Sequence, residues 1–233
     1  MSKIILFDLD STLLQMNQDE FLKCYFSDVQ KIISGYGYDS KEFMDVFQKS
    51  AYSILNSDGI HTNEELFWKA FSNKYDDLDK INKIFNDYYD TDFDKIANIV
   101  NKSDLPRRII DELKSKGYTL ILATNPLFPI QCTKKRIEWA GLEIDDFLYV
   151  STYENSKYSK PNHLYYEEIF NKLNLEIEGA TMVGNDLFDD FSDLPSSMNK
   201  ILITDYLINT KKLPLLDKSY TLKEFYDIVK KEF

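Results

Sequence analysis

The chain has 233 residues, 43% of them hydrophobic and 29% charged, the composition of a folded globular protein and not of a disordered one. Its formal net charge of -11 lacks the basic surplus that binding a nucleic-acid backbone demands, although a bound cation can still bring a small phosphorylated molecule to an acidic protein. The two cysteines, Cys24 and Cys132, lie far apart and in no metal-binding spacing, which speaks against a disulfide framework and for a reducing compartment.

The first apolar run, Ile4-Ile5-Leu6-Phe7, is too short for a signal peptide or a membrane span, and no later run is longer than a strand needs. The expectation is a soluble, cytoplasmic protein with no membrane partner. This run reads as a buried strand, and Asp8-Leu9-Asp10-Ser11-Thr12 follows it at once. Residues 15–103 contain no convincing strand. They hold amphipathic stretches at 19–34, 40–55, 63–73 and 78–100, broken at Gly35-Tyr36-Gly37, Ser57-Asp58-Gly59 and Asp76-Asp77.

Strand and helix then alternate. Pro106 and Gly117 bound a helix over 105–116, and a strand over 119–123 leads into Thr124-Asn125. A third strand is predicted over 147–150. Lys160-Pro161 opens a helix over 162–173 with Leu164, Tyr165, Ile169, Phe170 and Leu173 on one face. A strand over 181–183 leads into Gly184-Asn185-Asp186-Leu187-Phe188-Asp189-Asp190, and a strand at 201–203 and a helix at 221–233 end the chain. Continuous apolar runs suit strands buried on both faces of a parallel sheet. The pattern therefore predicts an α/β fold: a doubly wound, Rossmann-like parallel sheet built from 1–14 and 104–233, carrying an inserted all-helical domain over 15–103.

Ligands of open α/β sheets sit beyond the carboxyl ends of the strands, so the polar residues after each run carry the chemistry. Asp8 and Asp10 are two carboxylates two residues apart on a nearly extended strand end, able to divide nucleophilic attack from metal binding or proton transfer. Thr124 offers a hydroxyl to a phosphate oxygen, Asn125 stands beside it, and Lys160 supplies a cation. Residues 184–190 gather oxygen ligands suited to a hard cation. Each cluster alone reads as a solvated loop, a helix cap or a surface turn. All of them in this order, each behind a strand, read as one site.

These residues resemble the four motifs of the haloacid dehalogenase-like hydrolase superfamily. Phe7-Asp8-Leu9-Asp10-Ser11-Thr12-Leu13 is similar to the first motif, Asp-x-Asp-x-Thr; Thr124 fits the second, Lys160 the third and residues 184–190 the fourth. The helical insert resembles the cap of the subclass that carries one at this position. The resemblance implies a Mg2+-dependent phosphatase acting on a small-molecule phosphomonoester. In it Asp8 is the nucleophile and a metal ligand, and Asp10 is the general acid and base with a carbonyl on the metal. Thr124, Asn125 and Lys160 hold the phosphoryl group, Asp186 is the third metal ligand, and Asn185 and Asp190 support them. Many members have an aspartate where this chain has Asn185, which leaves open whether Asp189 replaces Asp190 as the second acid.

Phosphonate cleavage would call for a cap lysine, such as Lys23, Lys31, Lys41, Lys49 or Lys69. A phosphomutase would share the machinery and return the phosphoryl group to substrate, and a degenerate hydrolase fold would only bind. Gln15, Asn17 and Gln18, near the start of the insert, are candidates to touch substrate. His163 follows Lys160-Pro161 and reads as a surface helix residue, while Trp68, Tyr88 and Tyr89 are given no role. The chain is expected to be a monomer or homodimer.

Overall fold

A computed structural model describes residues 3–233; Met1 and Ser2, the first residues of the expected core segment, lie outside it. The strands are β1 (Ile4–Phe7), β2 (Thr119–Leu122), β3 (Tyr149–Val150), β4 (Thr181–Gly184), β5 (Asn199–Ile203) and β6 (Ser219–Tyr220). All pair in parallel in the order β3-β2-β1-β4-β5-β6, the doubly wound arrangement the apolar runs predict. Helices α1 (Gln18–Gly35), α2 (Ser40–Leu55), α3 (Asn63–Phe71) and α4 (Leu78–Asp90) fall between β1 and β2, followed by α5 (Leu105–Ser115). Then come α6 (Ile130–Trp139), α7 (His163–Leu173) and α8 (Leu222–Glu232).

Successive side chains on a strand point to opposite faces, so continuous apolar runs fill two cores at once. Ile5, Phe7, Leu120, Leu122 and Val183 pack on one face with Ile109 and Leu113 of α5 and Phe225 and Val229 of α8. Leu6, Ile121, Met182 and Leu202 pack on the other with Tyr165, Tyr166, Ile169 and Phe170 of α7. Strand order reverses between β1 and β4, so the chain leaves their adjacent carboxyl ends in opposite directions and a crevice opens there.

Several elements differ from the sequence expectation. β3 holds only Tyr149 and Val150 of the run over 147–150, because it is an edge strand and Leu148 turns outward, 59% exposed. α6 and β6 were not foreseen; the first is rich in polar residues and the second is two residues long. The stretch over 78–100 divides, since Thr91 leaves helical geometry at φ -123° and ψ -77° and a 3-10 segment follows over Asp92–Ile99.

Three of the insert's four α-helices begin where short polar side chains satisfy free amides. Asn17, Asp39 and Thr62 accept from the N–H groups of Glu20, Glu42 and Glu65. Their inner faces are aromatic: Phe21 and Tyr25 of α1, Phe43 of α2, Phe71 of α3 and Phe85 of α4 belong to the same buried cluster as Ile5 and Phe7. The chain leaves and re-enters the sheet at one point, where the Asn101 N–H donates to the Gln15 carbonyl at 2.8 Å.

Phe93 joins the insert to the sheet layer. It is fully buried, with ring centroids 5.5 Å from Tyr89, 5.7 Å from Tyr88 and 4.8 Å from Trp139 of α6. Phe93→Ala is expected to destabilise the fold by about 3–5 kcal/mol, the usual range for a buried phenylalanine; urea unfolding of both proteins measures it.

Candidate active site

The loop after β1 is built to face two acids one way. The Asp8 N–H donates to the Val183 carbonyl at 2.9 Å, continuing the β1–β4 ladder by one residue. Ser11 then adopts a left-handed φ of 65°, which folds the chain back so that its N–H reaches the Leu14 carbonyl and its hydroxyl the Met16 carbonyl, both at 2.8 Å. Leu9, Leu13, Leu14 and Met16 are fully buried and anchor the loop, while Asp8 and Asp10 line a cavity of about 140 Å3.

Thr124, Asn125, Lys160, Asn185, Asp186, Asp189 and Asp190 line the same cavity. Every residue proposed from the sequence for catalysis, phosphate binding or metal binding thus reaches one space. Two tyrosines of α7 brace it from beneath: the Tyr165 hydroxyl donates to the Thr124 carbonyl and the Tyr166 hydroxyl to the Asp190 carbonyl, each at 2.9 Å.

Lys160 is 3% exposed and bridges two acids, with its Nζ 2.7 Å from Asp8 Oδ1 and 2.6 Å from Asp190 Oδ1. Burial alone would lower its pKa, but Asp190 and Asp8 outweigh that and hold it well above the ordinary lysine value. Asp190 Oδ2 accepts the N–H groups of Asn185 at 3.0 Å and Asp186 at 2.9 Å. Burial pushes the Asp190 carboxyl upward, against the Lys160 ammonium. It is Asp190, not Asp189, that meets Lys160.

Asp190 fits over the strand end only because residue 184 is glycine. A Cβ at Gly184 would stand 2.2 Å from Asp190 Oδ2 and 2.4 Å from its Cγ. Asn185 turns its amide oxygen to the Thr12 hydroxyl at 2.9 Å and donates to the Tyr206 carbonyl at 2.8 Å. Asp186 Oδ1 accepts from the N–H groups of Phe188 at 2.8 Å and Asp189 at 3.0 Å. Asn125 Oδ1 is buried without a partner.

One site residue escaped the sequence reading. Arg136, 1% exposed on α6, donates through Nη1 to Asp10 Oδ2 and through Nη2 to Thr133 Oγ1 at 3.2 Å, with its guanidinium 4.6 Å from the Phe128 ring. Within Lys134-Lys135-Arg136 it looks like part of a solvated basic run, and nothing local marks it. Burial raises the pKa of Asp10 above the ordinary carboxylate value, with Arg136 pulling the other way and Asp8 adding to the rise. Asp10 Oδ1 is left buried with no partner.

Two of the three insert residues singled out as substrate contacts have structural work instead. Gln15 donates to the Thr12 carbonyl at 2.7 Å, and Asn17 caps α1. Gln18 does line the cavity. His163 is exposed and pairs with Asp193 at 2.9 Å.

Among the described residues no three acidic, histidine or cysteine side chains come together as a ready metal site. The set expected for Mg2+ needs only two carboxylates, Asp8 and Asp186, together with the Asp10 backbone carbonyl. An all-oxygen set of this kind suits a hard cation. The electrostatics agree: Asp189 is pushed up to about 6 by burial first and then by Asp186, a crowding of negative charge that a divalent cation relieves.

A family model described as haloacid dehalogenase-like hydrolase matches residues 5–194. No curated protein matches the chain. Among solved structures, a HAD phosphatase from Thermococcus onnurineus superposes with a TM-score of 0.58 at 20% identity, covering 98% of each chain. An L-2-haloacid dehalogenase from Xanthobacter autotrophicus gives 0.55 at 13% identity over 100% of each. The putative HAD-hydrolase YfnB from Bacillus subtilis, bound to magnesium, gives 0.57 at 16% over 97% of each. At these identities the likeness is one of fold. No described helix is long and apolar enough to cross a membrane.

Gly184→Ala is expected to force Asp190 off its amides and to lower stability by about 1–3 kcal/mol, the usual range for overpacking, as urea unfolding measures. Asp189 gives a pH test. Its pKa of about 6 in the fold exceeds the ordinary 3.8, so above pH 6 its charge fully disfavours the native state, and below 3.8 that penalty is gone. Asp189→Asn should therefore stabilise the protein at pH 8 and by less at pH 4.5. An equal effect at both would show that the crowding is absent.

Proposed function

The chain belongs to the haloacid dehalogenase-like hydrolase family, and from that premise we propose that it hydrolyses a small-molecule phosphomonoester through an aspartyl-phosphate on Asp8. The observation that carries this reading is Asp10, a second acid facing the Asp8 cavity with Oδ1 unpartnered. Displacing a halide from carbon releases an ion that needs no proton. Displacing an alkoxide from phosphorus does need one, and a buried carboxyl with a raised pKa is suited to give it.

A phosphate seated in the cavity meets the Thr124 hydroxyl, the Asn125 amide and the Lys160 ammonium, which offset its charge as the Asp8 carboxylate approaches. A bond forms from the Asp8 carboxylate oxygen to phosphorus as the ester P–O bond breaks, and Asp10 passes its proton to the leaving oxygen. Asp10, now ionised, takes a proton from water, the water oxygen attacks phosphorus, and Asp8 is restored with release of inorganic phosphate. Mg2+ held by Asp8, Asp186 and the Asp10 carbonyl would supply further neutralisation of phosphoryl charge. Asp190 and Asn185 keep Lys160 and Thr12 in position, and the helical insert acts as the cap that excludes bulk water.

The purified protein with Mg2+ is expected to hydrolyse p-nitrophenyl phosphate and acetyl phosphate, and Asp8→Asn to reduce both to background. Asp10→Asn should cost roughly 10²–10⁴-fold, the span of general acid–base catalysis, and more on an alkyl ester than on p-nitrophenyl phosphate, whose leaving group needs less help. Activity surviving in Asp8→Asn would remove the nucleophile. Halide release from 2-chloropropionate without phosphate hydrolysis would replace this reading with carbon chemistry.

A further inference from the structure

The insert encloses a second cavity, of about 120 Å3, against the loop that follows Asn125. Its walls include Tyr25 of α1, Phe47 of α2, Phe67 and Trp68 of α3, and Phe85 and Tyr89 of α4, and among the described residues none that lines it is charged. It adjoins the phosphoryl cavity, since Leu22, Leu127 and Phe128 line both. The aromatic chamber therefore lies next to the cavity that Asp8 lines.

The chamber's chemistry narrows what it takes. The hydroxyls of Tyr25 and Tyr89 are hydrogen-bonded to each other at 2.7 Å, so the remaining polar groups on the wall are the Asn82 and Asn86 amides, the Trp68 indole N–H and the Tyr153 hydroxyl. A sugar would leave most of its hydroxyls unpaired there, and each unpaired buried group is costly. A carboxylate would need a cation, and among the described residues that line the chamber there is none. An apolar ring fits: the volume approaches that of the roughly 150 Å3 apolar cavity known to admit benzene.

Resting on the phosphatase reading above, we infer that the substrate is the phosphate ester of a small apolar alcohol, aromatic or branched, whose hydrocarbon part fills this chamber. The rival is a polar leaving group lying in the open cleft of about 700 Å3 bounded by Leu55, Ser57, Pro161 and Phe188, which also reaches Lys160.

The test compares kcat/KM of the wild-type protein with Mg2+ on benzyl phosphate, glycerol phosphate and phosphoglycolate, all of which release a primary alkoxide. Benzyl phosphate should lead by about 10-fold or more, the discrimination that buried apolar contacts give. Ala51 lines the chamber from α2, and Ala51→Phe should lower the ratio of benzyl phosphate to acetyl phosphate turnover by a similar factor. Equal turnover of the three esters, or a lead for either polar one, overturns the inference while phosphatase activity stands. An unchanged ratio in an Ala51→Phe protein that remains folded by circular dichroism overturns it too. No hydrolysis of acetyl phosphate or any ester removes the phosphatase reading, and this inference with it.

Discussion

The site depends on one buried ammonium. Lys160 sits between Asp8, at the end of β1, and Asp190, beyond β4, at hydrogen-bond distance from both. Without it two buried carboxylates would face each other, where charge repulsion is stronger than in bulk water. Its position in turn needs Asp190 fixed on two backbone amides, which needs the absent side chain of Gly184. Lys160 ahead of α7, with Gly184 at the end of β4 and Asp190 just beyond it, forms one mechanical unit.

Negative charge still outweighs positive around the cavity. Among the described residues, Asp8, Asp10, Asp186, Asp189 and Asp190 share it with Lys160, the one cation on its wall, and Arg136 stands behind Asp10. Burial first and Asp186 second raise the Asp189 pKa, so its ionised form disfavours the folded state. The same imbalance suits a protein that works with a metal and a phosphate together. The aromatic insert beside it has the opposite character, uncharged and ring-lined, so two unlike environments meet along Leu22, Leu127 and Phe128.

Much of this was legible in the sequence because strand ends have little freedom. Once Ile4-Ile5-Leu6-Phe7 is a buried strand, Asp8 must emerge at the carboxyl edge, and the same holds for Thr124 and Asn185. The helix expected over 221–233 forms as α8, and the reciprocal cap of Thr221 and Glu224 at its start is seen in the fold. What escaped depends on distance in space. Arg136 is a charged residue in a polar run, and only the fold shows it buried against Asp10. Asp189 and Asp190 are neighbours in one acidic run, and only the fold shows that Asp190 is the one in contact with Lys160. Gln15 and Asn17 look like free polar groups until their backbone partners are known.

The single backbone bond between Asn101 and Gln15 has a consequence for how such a chain changes over time. It uses main-chain atoms alone, so no substitution at either position other than proline at 101 deletes its donor or acceptor. Between these two points the polypeptide can lengthen, shorten or be rewritten with little entropic effect on closure, since doubling a flexible loop adds only about 0.6 kcal/mol. The strand-end rim can thus stay fixed while the length of the excursion changes, provided the aromatic face that packs on the sheet is kept.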